Sequence, residues 1–319
     1  MAKKTIDGTI PLEGVNPSGA LFPLEKEYAR TIAALSQTRI LTLLPRSKNS
    51  GVIGIDGKEY PVPTEEQLQE VFAWNKELVD KKTRQGFAQL QLTPIAMPTS
   101  QLIDLMKSVI VKHGAEGRIY QTRRSPSDPS TPVRVNTEKQ VWIWDTLRQA
   151  LDTDGLVYFP QEYSGNHRGQ TKLEVVNSRR ICAVPGWSVG LVESLPVMPE
   201  QGQGKTLGGR KQLETGLSPR EYLQTLQTET YEGETGKTLE DFITGFLTHL
   251  ETTNEVSNDV SDHNALWCLG QYMKVTYAEL VPTGRWYRDV GRARLDMHRT
   301  SNKLCTKSWG ASSTVRLGT

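Results

Sequence analysis

The stretch Ser125-Pro-Ser-Asp-Pro-Ser-Thr-Pro132 constrains this chain more than any other. Three prolines in eight residues remove amide donors and fix dihedrals, so neither a helix nor an interior strand can run through it. It reads as a loop and as the best internal boundary. The chain then divides into an N-terminal arm plus α+β region over residues 1–124 and a C-terminal α+β region over 136–319, with a single domain as the alternative.

On either side of that loop the periodic segments are short and change character often. Residues 1–22 carry Gly8, Pro11, Gly14, Pro17 and Gly19 and read as an irregular arm. Pro23 opens a helix through Gln37, with Leu24, Tyr28, Ile32 and Leu35 on one face. Arg39 to Leu44 reads as a strand, and Val52 to Val62 as a hairpin turning at Asp56-Gly57. Thr64 with Gln67 forms a capping-box pattern for a helix running to Arg84. A strand over Phe87–Thr93 and a helix from Pro98 to Gly114, buried through Leu102, Leu105, Met106, Val109 and Ile110, follow.

Beyond a short strand at Arg118–Arg123 and the proline loop, a helix is expected from Asn136 to Asp152, carrying Trp142 and Trp144. Leu156–Phe159, Lys172–Val176 and Trp187–Leu195 look like strands, and Pro196–Leu213 like a Gly-rich basic loop. Helices are expected over Pro219–Gln227, Leu239–Thr252 and His263–Met273. The tail from Pro282 shows little periodicity. Its end, residues 309–317, resembles the closing strand of C-type-lectin-like domains over a stretch too short to assign a family, and a terminal edge strand at Thr314–Leu317 is the expectation. The fold class is α+β, with roughly six helices and as many short strands.

Composition excludes some classes. At 36% hydrophobic and 23% charged residues, the chain does not have a disordered composition. Its longest apolar runs, Ile40–Pro45 and Ile181–Val184, fall far short of the roughly 20 residues of a membrane helix. Basic residues open the sequence with no apolar stretch behind them, unlike a secretory signal. Cys182, Cys268 and Cys305 are odd in number and widely spaced, giving neither a disulfide framework nor metal-ligand spacing. Free thiols, a cytoplasmic or particle-assembled location, and no membrane partner are expected.

Chemical motifs are incomplete. Gly202-Gln-Gly-Lys-Thr resembles part of a phosphate loop, but Pro199 stands where the first glycine of such a loop belongs. The reading left is a flexible loop whose Lys205, Arg210 and Lys211 touch an anion. Asp152-Thr-Asp-Gly155 opens like a calcium loop without its later ligands, so a helix-ending turn is preferred. The five histidines are scattered, and no metal, cofactor or catalytic residue is assigned.

Charge is distributed unevenly. Residues 214–262 hold eleven acids against Arg220 and Lys237, a net charge of −9, while residues 283–319 hold eight bases against two acids, a net charge of +6. Arg285, Trp286, Tyr287, Arg288, Arg292 and Arg294 in the tail, and Arg118, Tyr120, Arg123 and Arg124 before the proline loop, interleave guanidinium groups with rings. That pattern fits a protein interface or a nucleic-acid surface. The sequence therefore favours a non-enzymatic structural subunit of a larger particle, virus-like or nucleoprotein, whose acidic and basic stretches pair between copies. A nucleic-acid-binding protein and an enzyme on an unfamiliar scaffold are the alternatives. An ordered pocket with converging, perturbed titratable groups would favour the enzyme.

Overall fold

The structure, a computed structural model, describes residues 22–195, 197–301 and 306–318. The expected arm therefore lies almost wholly outside the described residues, as does Cys305. The described chain is α+β, with eight α-helices and sixteen short strands in four sheets.

The N-terminal half follows its local signals. Helix α1 (Leu24–Gln37) leads into a small antiparallel sheet of β1 (Thr42–Leu43), β2 (Ser50–Ile53) and β3 (Glu59–Pro61). Gly57, at φ +73°, supplies the left-handed turn between β2 and β3. Thr64 and Gln67 exchange both capping-box bonds at the start of α2 (Glu65–Trp74). The single helix expected through Arg84 is two. Asn75 leaves helical geometry, and its amide donates to the carbonyls of Val71 and Gly318 before α3 (Lys76–Arg84) begins. Strand β4 (Phe87–Thr93) and helix α4 (Thr99–Ala115) follow. Asp152, in left-handed geometry, caps α4 by accepting from the amides of Thr99 at 2.7 Å and Ser100 at 3.1 Å.

The C-terminal half departs more from local expectation. In place of one helix from Asn136 there is β5 (Val141–Ile143) and a short α5 (Asp145–Ala150), because β5 finds a parallel partner far along the chain. After β6 (Val157–Tyr158), the stretch expected as a strand is helix α6 (Lys172–Asn177), opened by a Thr171–Glu174 capping box. Strand β7 (Ser188–Glu193) stands as expected, and the Gly-rich loop folds partly into the hairpin β8 (Thr206–Leu207) and β9 (Arg210–Lys211). Helix α7 (Pro219–Leu226), strand β10 (Glu234–Gly236) and helix α8 (Leu239–Thr253) come next.

The helix expected over His263–Met273 is instead two strands, β11 (Ala265–Trp267) and β12 (Gln271–Val275). Leu266 enters the larger core while Ala265 and Trp267 enter the smaller one, an alternation only a strand provides. The tail is the longest hairpin of the fold, β13 (Ala278–Tyr287) with β14 (Arg292–Arg299), in register from Leu280↔Arg299 to Tyr287↔Arg292. After β15 (Trp309–Gly310), strand β16 (Ser313–Arg316) is an interior strand, not an edge, flanked by β10 and β7.

The four-stranded sheet runs β10-β16-β7-β4, antiparallel throughout. In the seven-stranded sheet β13 is central, with β14 on one side and β11 and β12 on the other. The larger core takes residues from Phe22 to Leu317, on both sides of the proline loop. Helix α8 lies at its centre and packs on α1, α4, β4 and β13. Cys182 and Cys268 are buried free thiols. Among the described residues, no helix is long and apolar enough to cross a membrane.

Candidate functional site

The hairpin alternation sorts the ring-and-guanidinium residues of the tail. Arg285 and Tyr287 of β13 and Arg292 and Arg294 of β14 share one sheet face. Trp286 points the other way, is fully buried and stacks on Phe246 with centroids 6.2 Å apart. Arg285, 3% exposed, lies 4.5 Å from the Trp309 ring and pairs with Asp296 at 3.3 Å. Arg294 lies 4.2 Å from the Trp142 ring and also pairs with Asp296. Arg288 bonds Asp259 and Asp262.

The group before the proline loop meets the same acidic segment. Arg118 donates to Glu116 and Asn254, the Tyr120 amide donates to the Asn254 carbonyl, and Arg123 pairs with Glu255. Arg124 reaches Asp262 at 3.9 Å, so it and Arg288 converge on one carboxylate. Nine of the eleven acids of residues 214–262 have an ion-pair partner in this same chain: Glu214, Glu232, Glu234, Glu240, Asp241, Glu251, Glu255, Asp259 and Asp262.

The residues assigned to an anion-binding loop separate in the same way. Arg210 is fully buried and bidentate on Glu234, at 2.7 and 2.8 Å, with Glu193 at 3.0 Å. Lys211 pairs with Glu214. The Gly204 amide donates to Glu214 at 2.7 Å, so this glycine loop wraps a carboxylate of its own chain. Lys205 is exposed.

A different group of residues lines a cavity of about 290 Å³. Its walls come from α1 (Arg30, Thr31, Ala34), β4 (Gln89 to Leu92), the end of β7, α8, and the segments around Asn258, Asn264 and Ser312. Helix α8 makes one wall because it carries two stripes. Leu239, Phe242, Ile243, Phe246, Leu247 and Leu250 face the core, while Asp241, Thr244, Gly245, Thr248, His249 and Thr252 recur at three- and four-residue spacing along the cavity. Thr248 and Thr252 turn their hydroxyls back to the helix carbonyls. The Thr244 hydroxyl, on a residue 1% exposed, has no partner among the described residues, nor has His249 Nε2 or Arg30 Nε.

Lys237 enters this cavity from the link between β10 and α8. Its carbonyl accepts from the Gly270 amide at 2.8 Å, a close approach that needs glycine, since a Cβ at position 270 would sit 2.5 Å from the Gly236 oxygen. The Lys237 ammonium has no hydrogen-bond or ion-pair partner among the described residues. The nearby carboxylates are already engaged. Asp241 accepts from the backbone and hydroxyl of Thr238, from Thr93 at 2.7 Å and from Arg316, while Glu193 is held by Arg210. Burial pushes the Lys237 amine below its ordinary value, opposed by Asp241 and Glu193. Burial likewise lowers the His249 imidazole, with Glu255 opposing and Arg30 adding to the shift. Asp241 stays well ionised: burial would raise it, but the Arg316 guanidinium and its other donors hold it below the usual carboxylate range.

The sequence reading missed this site. Lys237 counted only as one of two bases in an acid-rich stretch, and His249 as a scattered histidine. The available signal was the second stripe of α8, where threonines and a histidine occupy the helical spacing at which a solvent-facing helix carries charges. Among the described residues, no group of three metal-ligating side chains is gathered. Comparison with protein-family models, with curated proteins and with solved structures gives no significant match.

Proposed function

We propose that this chain binds a small anionic molecule, a monocarboxylate being the simplest, in the cavity between α1, α8 and the four-stranded sheet. One observation carries the reading: Lys237 is a cation in a cavity whose carboxylates are both neutralised by arginines. Lys237 is part-buried, and an ammonium there without a counter-charge is poorly compensated, so a ligand of opposite charge supplies the missing partner. The unpartnered Thr244 hydroxyl, His249 Nε2 and Arg30 Nε add polar groups that orient a ligand against apolar walls such as Leu90, Leu92 and Phe242. The pocket with converging titratable groups thus favours a site on an unfamiliar scaffold over a particle subunit. The internal pairing of most acids in residues 214–262 weakens the charge argument for contacts between copies. The test is thermal unfolding with a panel of small carboxylates and phosphate esters. At least one should stabilise the wild type and leave Lys237→Met unchanged. If the two proteins respond alike to every compound, the reading fails.

A second reading keeps the sheet face of Tyr287, Arg292, Arg294 and Trp142 as a contact with another copy of this chain or with a nucleic acid. It is favoured by the stacking of Arg294 on Trp142 at a partly exposed position. Replacing Arg292 and Arg294 together by Glu should then reduce native mass or abolish salt-sensitive oligonucleotide binding. Unchanged mass and affinity would leave the face a packed surface of the monomer.

A further inference from the structure

We infer that Lys237 is a carbonyl-reactive amine, and that the cavity takes a small aldehyde or 2-oxo acid, which condenses with Lys237 Nζ to an imine. This rests on the binding reading above and names its substrate class. Three observations point to a nucleophile rather than a fixed structural cation. First, Nζ has no partner among the described residues, whereas Lys172, buried on the opposite side of α8, meets three acceptors at 2.7–2.8 Å. Second, the acids closest in charge to Lys237, Asp241 and Glu193, are held by Arg316 and Arg210, so neither anchors the ammonium as an ion pair. Third, the cavity supplies separate donors for the far end of such a substrate. Arg30 Nε and the 1%-exposed Thr244 hydroxyl line it without partners of their own and suit a carboxylate. Burial favours the neutral amine, the form whose lone pair attacks.

The step balances without any oxidant or reductant. The Nζ lone pair bonds the carbonyl carbon, and the C=O π pair moves to oxygen. Proton transfer from nitrogen to oxygen gives a carbinolamine. The C–O bond then breaks, water leaves, and a C=N bond remains, so amine and carbonyl yield imine and one water. His249, whose Nε2 lines the same cavity unpartnered, is the group available to carry the proton between nitrogen and oxygen.

The experiment uses the whole chain with glyoxylate as probe, borohydride to reduce any imine irreversibly, and peptide mass mapping. The expected result is one carboxymethyl group on Lys237, formed ahead of the exposed lysines and suppressed by acetate. Two variants separate this inference from the binding reading. Lys237→Arg keeps the charge but has no amine able to form this imine, so it should still be stabilised by acetate and yield no adduct at position 237. Lys237→Met should lose both. Acetate stabilisation with carboxymethylation spread evenly over exposed lysines would overturn the imine and leave anion binding standing. Neither acetate nor glyoxylate stabilising the wild type, with no adduct at Lys237, would overturn both.

Discussion

Glu240 and Asp241 are neighbours in the first turn of α8, yet they organise two opposite kinds of polar interior. Glu240 accepts from Thr99 at 2.6 Å, Tyr158 at 2.7 Å and Gln271 at 2.8 Å, and it pairs with Lys172 at 3.1 Å. Lys172 in turn donates to Met97, Thr99 and Asp152. Every charge there has a counter-charge, and the cluster ties α4, α6, β6 and α8 together. On the other side of the helix Asp241 is equally saturated, but by Arg316, and among the described residues Lys237 is left over. A saturated buried network fixes a fold, while an unsaturated one leaves interaction energy for something that arrives later.

The largest expected effect breaks the saturated side. Lys172→Met leaves Glu240 and Asp152 without their ammonium and should cost about 3–5 kcal/mol in urea unfolding. Lys237→Met removes a cation that has no partner among the described residues, and should leave stability within about 1 kcal/mol of wild type, or raise it. Equal losses for the two variants would mean that Lys237 is a structural lysine after all.

Arg316→Met tests the same contrast from the Asp241 side. It should cost about 3 kcal/mol, and it frees Asp241 to neutralise Lys237, so anion binding by calorimetry should weaken by about tenfold or more. A variant that loses stability while keeping wild-type affinity would show that Arg316 does not control the charge of the cavity.

Thr244→Val exchanges an unpartnered hydroxyl for a methyl of similar shape. Stability should change by less than about 1 kcal/mol, because no folded-state hydrogen bond is lost. Ligand affinity should fall by a few-fold, and an unchanged affinity would remove Thr244 from the site.

The smallest effect is on pH dependence. Burial holds the His249 imidazole below its unfolded value of about 6.5, so below that pH the unfolded chain retains a proton that the folded chain gives up. Stability should therefore decline as pH falls through 6.5 towards the folded value, and His249→Gln should shallow that decline. His298 shifts in the same direction, so the difference between the wild type and this variant is the quantity to measure. Identical pH profiles would place His249 in a better-solvated position than the cavity wall.

How far the sequence reached depended on the distance over which each feature is decided. The Asp56-Gly57 turn, the Thr64–Gln67 capping box, α7 and α8 were legible, since each is settled by bonds spanning three or four residues. The Thr171–Glu174 box was equally local and was overlooked because Lys172 to Val176 is rich in β-branched valine. Strands β5, β11 and β12 were not legible, because their partners lie on β14, β13 and β6, and a short apolar run shows its period only once those partners are in place.

The sequence by itself determined an α+β chain of short elements, broken at the proline loop, with its acids and bases concentrated in separate stretches. The tertiary structure alone decided where those charges go. It set Arg288 on Asp259 and Asp262, Arg316 on Asp241 and Arg210 on Glu234, and it left Lys237 without a partner among the described residues. Net charge is a sum over residues and can be counted along a chain. Whether a charge is compensated depends on contacts within about 4 Å, and strand pairing brings those together from residues far apart in sequence.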